Sequence, residues 1–218
     1  MAFNFPSEFD PQPSLHGDGL TISPLLETDR AALAEAASDP MIWAGHPASN
    51  RYERAEFDPY FDMLLGSDAA LAIRDKADRI IGCTAYYTDT NAPARLSIGF
   101  TFLERDHWGG GTNRLVKRLT LKHLFEQASE AWFHIAPTNH RSQSATIRLG
   151  AMFTHEADIN LGGSPQRWRC YCLTTESWMP MNVYRTGAYP PETPDLDNTI
   201  CHNCARLFDR KFPAQDNR

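Results

Sequence analysis

Two features of this chain have the residue types and spacing to do chemistry: a glycine triplet and a strand histidine. The segment Arg105-Asp106-His107-Trp108-Gly109-Gly110-Gly111-Thr112-Asn113 lies between a run of strand formers and a run with helical spacing. The first turn of a helix leaves backbone N–H groups without intrahelical partners and carries the positive end of the dipole, so that spot attracts anions. Residues without side chains let those amides close on a pyrophosphate and reach the positive φ values of an anion nest. A glycine triplet also serves simply as a turn. No Gly-Lys-Ser/Thr follows it and no Gly-x-Gly-x-x-Gly is present, which excludes a nucleotide-triphosphate P-loop and leaves a dinucleotide fold unsupported.

The helix that follows gathers Arg114, Lys117, Arg118 and Lys122 into one basic arc. Arg114, in the first turn, is placed to reach a phosphate, and the rest of the arc reads as a solvated face. His134 alternates with Phe133 and Ile135 in a strand and faces away from both, which makes it a candidate general base. Glu104, His107, His155 and Glu156 compete for that role, and Tyr86 and Tyr87 are candidates to line an acceptor site. Cys201-His202-Asn203-Cys204 has the spacing of half a zinc site. Cys170 and Cys172 lie in a strand and not in the paired short-spaced turns of a zinc knuckle, so they do not complete it and no metal is expected.

The elements that must hold these residues follow from periodicity and breakers. Residues 1–18, with Phe3, Phe5 and Phe9 among Pro6, Pro11 and Pro13, read as an extended arm packed on the domain or on a partner subunit. A strand over 19–25, a helix over 28–37 stopped at Ser38-Asp39-Pro40, and a helix over 55–65 come next. Strands over 69–74, 80–88 and 95–103 form an antiparallel meander. After the glycines come a helix over 113–128, a strand over 131–136, a helix over 141–149 and strands over 151–158 and 167–175. This order predicts an α+β fold: a mixed, mostly antiparallel sheet of about seven strands with helices on both faces. The organisation expected is an arm at 1–18, one domain over 19–178 and a partly irregular tail over 179–218.

With 218 residues the chain suits a single domain. A net charge of −6 argues against a nucleic-acid-coating protein, and no apolar run has the length of a membrane span. The opening residues lack the features of a secretory signal, and five cysteines are neither even nor dense, so a cytoplasmic setting with reduced thiols is expected.

Downstream of the loop, Trp132-Phe133-His134-Ile135-Ala136 leads into Asn139-His140-Arg141-Ser142-Gln143-Ser144-Ala145-Thr146-Ile147-Arg148-Leu149-Gly150-Ala151. With the glycine loop one helix and one strand before it, this pattern resembles the GCN5-related N-acetyltransferases, in particular the branch that acetylates ribosomal-protein N-termini. The resemblance covers residues 19–178. It implies an enzyme that uses acetyl-CoA, with Trp108, Gly109, Gly110, Gly111, Thr112, Asn113 and Arg114 at the cofactor loop. The family's loop is Gln/Arg-x-x-Gly-x-Gly/Ala, from which Trp108 and Asn113 depart. Asn139 matches a cofactor-side asparagine of the family and equally suits a helix cap. The resemblance also implies that the strand over 95–103 splays from that over 131–136 to admit pantetheine, and Gly99 is read as the bulge that bares a backbone N–H there.

In many members a tyrosine in the last helix is the general acid; Thr146 stands at that position, and Ser142 matches the serine of the ribosomal-protein branch. The reading is direct attack of a primary amine on acetyl-CoA in a ternary complex, with Ser142 and His134 as catalytic residues. The acceptor is a small molecule or a protein N-terminus. The alternatives are a non-catalytic acyl-CoA-binding module, and a scaffold that forms a homodimer through the aromatic arm.

Overall fold

The computed structural model describes residues 3–89, 92–161 and 164–178. The chain enters the sheet with a tight hairpin of β1 (Leu15–Gly17) and β2 (Leu20–Pro24), turned by Asp18 and Gly19, both at positive φ. Three helices follow: α1 (Arg30–Ala36), the short α2 (Pro40–Trp43) and α3 (Arg54–Leu65). Asp39-Pro40 does end α1, but it also starts α2, because Asp39 accepts a hydrogen bond from the Met41 N–H and proline fits the first helical position. Next come β3 (Ala70–Arg74), β4 (Ile80–Asp89) and β5 (Ala92–Leu103) as an antiparallel meander. The remaining elements are α4 (Thr112–Leu124), β6 (Glu130–Ile135), α5 (His140–Ile147), β7 (Met152–Ile159) and β8 (Gln166–Thr174).

The strands form one eight-stranded sheet in the order β1-β2-β3-β4-β5-β6-β8-β7. The expected count of about seven lacked β1, a three-residue strand inside the stretch read as an arm. Every neighbouring pair is antiparallel except β5–β6, which is parallel and shares a single pair of partners, Ser97 and Trp132. Beyond that pair the two strands part.

Alternation along the strands divides the interior in two. Ile22, Ile73, Ile98 and Phe133 point to the face covered by α4, where they meet Val116, Leu121 and Leu124. Ala72, Cys83 and Phe102 point to the other face, against Leu33 of α1 and Phe57 and Phe61 of α3. The phenylalanines near the start join the domain's own packing: Phe9 is buried against Tyr86 and His123, and Phe3 lies against Tyr87 and Phe100.

Gln143 fixes α5 to the end of β6. Its Nε2 donates to the carbonyls of Ala136 and Pro137 at 3.1 and 2.9 Å, and its Oε1 accepts from Arg169 and Tyr171 at 2.8 and 3.2 Å. Replacing this buried hub leaves partners on β8 and just past the end of β6 unsatisfied. Gln143→Leu is expected to lower stability by about 2–3 kcal/mol, read as a lower urea midpoint with unchanged slope; a loss below about 0.5 kcal/mol would rule out this role.

Candidate active site

The glycine loop joins β5 to α4 through a short turn of Arg105–His107. Gly111 is the N-cap of α4 with φ of +93°, and no side chain caps the helix. A left-handed backbone there suits glycine and strains any β-branched residue. The first-turn amides of α4, at Thr112, Asn113 and Arg114, lie beyond the reach of intrahelical acceptors. Nothing crowds the positions where Gly109 and Gly110 would carry a Cβ, and a Cβ on Gly111 would sit 3.5 Å from the Arg114 guanidinium, which folds back over the loop. Open space, free amides and a nearby cation fit a pyrophosphate.

Trp108 serves the loop differently from its neighbours. Its amide donates to the Arg105 carbonyl and its indole N–H to that of Leu103 at 2.9 Å, so neither donor is left for a ligand. The Arg141 guanidinium stacks 3.9 Å from its ring and donates to the Ile42 carbonyl at 2.8 Å. Trp108 therefore anchors the loop, and Arg141 ties it to α2 and α5.

Where β5 and β6 part, a cleft of about 280 Å³ opens. Asn113 and Lys117 reach it from α4, Ser142 and Thr146 from successive turns of α5, and Asn139 from the turn before α5. His134 and Tyr87 line its floor, and Trp43, His46, Arg51 and Tyr60 form a wall from the α2–α3 region. Of the proposed donor loop, Asn113 alone lines the cleft; the glycines, Thr112 and Arg114 sit at the adjoining helix end. Asn139 Oδ1 accepts from the Ser142 amide at 3.1 Å, so this asparagine caps α5 and sets the position of Ser142.

Of the five residues read as candidate bases, His134 is the one that lines the cleft. Glu104 pairs with Arg79 and approaches His107, His155 lies against Trp132, and Glu156 pairs with Arg169. The Nδ1 of His134 is 2.8 Å from the Tyr87 hydroxyl. Burial pulls its pKa down to about 4, so the imidazole is neutral at physiological pH. Tyr86, one residue earlier, faces the α4 side and donates to the Thr120 carbonyl.

The bulge lies one residue beyond the expected position. Cys83 pairs with Phe102 and Ala85 with Gly99, so Phe100 and Thr101 together oppose Thr84, and Phe100 takes φ of +52°. Gly99 does something else: a Cβ there would come within 2.7 Å of the Tyr87 ring, so its lack of a side chain admits that ring to His134.

Sequence reasoning missed Lys117. Arg114, Arg118 and Lys122 are exposed, as a solvated arc requires, but Lys117 is buried with 7% exposure. Its Nζ donates to Thr101 Oγ1 at 2.9 Å and lies over the Phe133 ring, and it forms no ion pair among the described residues. Its position four before Leu121 and seven before Leu124 puts it on the apolar stripe, a signal that charge counting hid.

The mixed sheet, its single parallel pair and the glycine loop after β5 define the acyl-CoA N-acyltransferase architecture. Residues 19–152 match the acetyltransferase (GNAT) domain profile, and the chain belongs to that family, whose members take the acetyl group from acetyl-CoA. It is an acyl-CoA-dependent N-acetyltransferase. Solved structures agree on the fold. A GCN5-related N-acetyltransferase from Brucella melitensis is 19% identical, with 81% of this chain and 87% of that one covered and a TM-score of 0.62. RimJ of Mycobacterium smegmatis, solved with CoA-disulfide, is 16% identical (79% and 92% covered, TM-score 0.57). A ribosomal-protein-S5-alanine acetyltransferase from Vibrio fischeri is 17% identical (76% and 98%, TM-score 0.53). No curated protein matches the chain. No helix among the described residues is long and apolar enough to cross a membrane, and Cys201 and Cys204 lie outside those residues.

Burial without a counter-charge brings the Lys117 pKa down to about 7 from an ordinary value of 10.5. Between those two values the unfolded chain binds the proton that the folded chain lacks, so this group makes stability rise with pH, by up to about 1.4 kcal/mol per pH unit. Lys117→Met is expected to flatten that slope between pH 7 and 10 in urea titrations. An unchanged slope would show that the lysine is solvated.

Proposed function

We propose that the protein moves the acetyl group of acetyl-CoA to a primary amine by direct attack in a ternary complex, with His134 as base and Ser142 as acid. The observation that carries this reading is the cleft itself. It brings a half-buried neutral histidine and a serine from separate elements to the place where β5 and β6 part, next to a helix end that no side chain caps.

Acetyl-CoA supplies the acetyl thioester. Gly109, Gly110, Gly111, Thr112, Asn113 and Arg114 hold its pyrophosphate through backbone amides and the Arg114 guanidinium, with Asn113 leading from the loop into the cleft. The open backbone of β5 beyond Ser97 accepts the pantetheine arm as a neighbouring strand would be accepted. The turned backbone at Phe100 offers a donor for charge that develops on the carbonyl oxygen.

As a base, His134 needs the tautomer in which Nδ1–H donates to the Tyr87 oxygen, leaving the Nε2 lone pair toward the acceptor amine. Ser142, oriented by the Asn139 cap, donates to the departing sulfur. Thr146, one turn on, faces the same cleft where other members carry tyrosine. The named relatives among the similar structures, and the Arg141-Ser142 pattern, support a place near the ribosomal-protein branch. In that branch the acceptor amine is a protein N-terminus; a small-molecule amine is the other class this cleft suits.

Thiol release from acetyl-CoA over a panel of amines tests the reading. Ser142→Ala is expected to lower kcat on the order of a hundredfold with acetyl-CoA affinity unchanged, whereas Gly111→Val is expected to weaken acetyl-CoA roughly tenfold or more. Donor binding with no release on any amine would make the protein a binding module instead.

A further inference from the structure

The acceptor side of the cleft has a charge pattern of its own. Although the chain carries six more negative than positive charges, no aspartate or glutamate lines the cleft among the described residues. The cations that do are Lys117 and Arg51.

Arg51 is the arginine that lines the cleft among the described residues. Its guanidinium carbon lies 3.9 Å from the centre of the Tyr60 ring and 5.7 Å from that of Trp43. Its face is spent on an aromatic platform, and its N–H donors lie along the edge. Those donors make no hydrogen bond and no ion pair among the described residues, whereas Arg30, Arg74, Arg79, Arg105 and Arg118 each hold a carboxylate. The platform is coupled to the reacting centre, because the Tyr60 hydroxyl lies 3.5 Å from the carbonyl of Phe100, the residue turned out at the bulge. His46 stands beside Arg51, its pKa lowered to about 4 chiefly by burial and further by that positive charge, so it stays neutral and adds no second cation.

We propose that the acceptor is a small amine that also carries a carboxylate or phosphate group, with Arg51 binding that anion while the amine reaches His134. This rests on the transferase reading of the same cleft and narrows its acceptor. A planar fork of donors on an aromatic support matches an oxyanion bidentately, and a cleft lacking carboxylates gives a polyamine or a basic peptide nothing to pair with.

Matched pairs test this. Alanine is compared with alaninamide and O-phosphoethanolamine with ethanolamine, alongside spermidine and a C-terminally amidated peptide. Each is measured by calorimetric binding to the CoA-loaded protein and by thiol release from acetyl-CoA. The charged member of at least one pair is expected to bind and react roughly ten- to a hundredfold better than its neutral partner, and the pair that responds tells carboxylate from phosphate. Arg51→Gln is expected to reduce that preference to about threefold or less while leaving acetyl-CoA affinity unchanged. Equal or better use of spermidine, of the peptide or of the neutral partners would overturn the proposal. So would an Arg51→Gln effect on acetyl-CoA rather than on the acceptor. A binding preference that survives with no thiol release on any amine would sink the transferase reading and leave the anion site standing.

Discussion

The arrangement depends on one constraint: β5 and β6 are parallel neighbours that stay paired only at Ser97 and Trp132. Past that point the facing edges of two central strands carry backbone groups that the sheet does not satisfy, a costly condition inside a folded domain. The bulge keeps β5 turned away at Phe100, whose left-handed backbone costs about 1–3 kcal/mol in isolation. Its surroundings hold it there. The Cys83 thiol and the Tyr60 hydroxyl both reach toward the Phe100 carbonyl, and Tyr87 and Phe3 pack on its ring. The gap is thus a maintained feature of the sheet, and both helices that flank it start from the ends of the parted strands.

That geometry explains the electrostatics of the cleft. Groups drawn into the gap lose more by leaving water than any nearby charge returns, so the neutral form of each basic group is favoured. His134 and His46 are neutral at physiological pH for this reason, and Lys117 is poised near it. Lys117 is held by a chain of hydroxyls, from Thr101 to Thr84, that spans the bulge. A hydroxyl partner satisfies one donor without stabilising the ammonium as a carboxylate would. The wall that carries Arg51 differs, because Arg51 remains partly exposed and stacks on Tyr60.

The order of strands and helices was legible because period-2 and period-3.6 patterns are local. Breakers such as Gly66 and Gly150, and the first turn of α4, lie where the chain itself decides the backbone. β1 escaped because three residues are too few for alternation to register, and α2 because a proline that stops one helix also starts another. In the site, His134 is legible from strand alternation and Ser142 only through the family resemblance, and both line one cleft. Lys117 was hidden because charge was weighed before helical phase. Gly99 was read as the bulge because a glycine in a strand has two explanations, close approach and irregular backbone, and only tertiary contacts separate them. Arg51 carried no signal at all, since its meaning depends on Tyr60 and Trp43, which come from different elements.

The asparagine before α5 shows how these levels meet. The side-chain oxygen of Asn139 accepts from the Ser142 amide, while its Nδ2 donors are a separate group. The cap fixes where α5 begins, and the helical repeat then sends Ser142 and Thr146 into the cleft while Gln143, between them, turns to the sheet and locks the helix by four hydrogen bonds. Arg141, in the same turn, points the other way and clamps Trp108 and α2. One turn of helix therefore fixes the serine, closes the sheet behind it and steadies the glycine loop, so a shift at its cap would move the donor side and the reacting side of the cleft together.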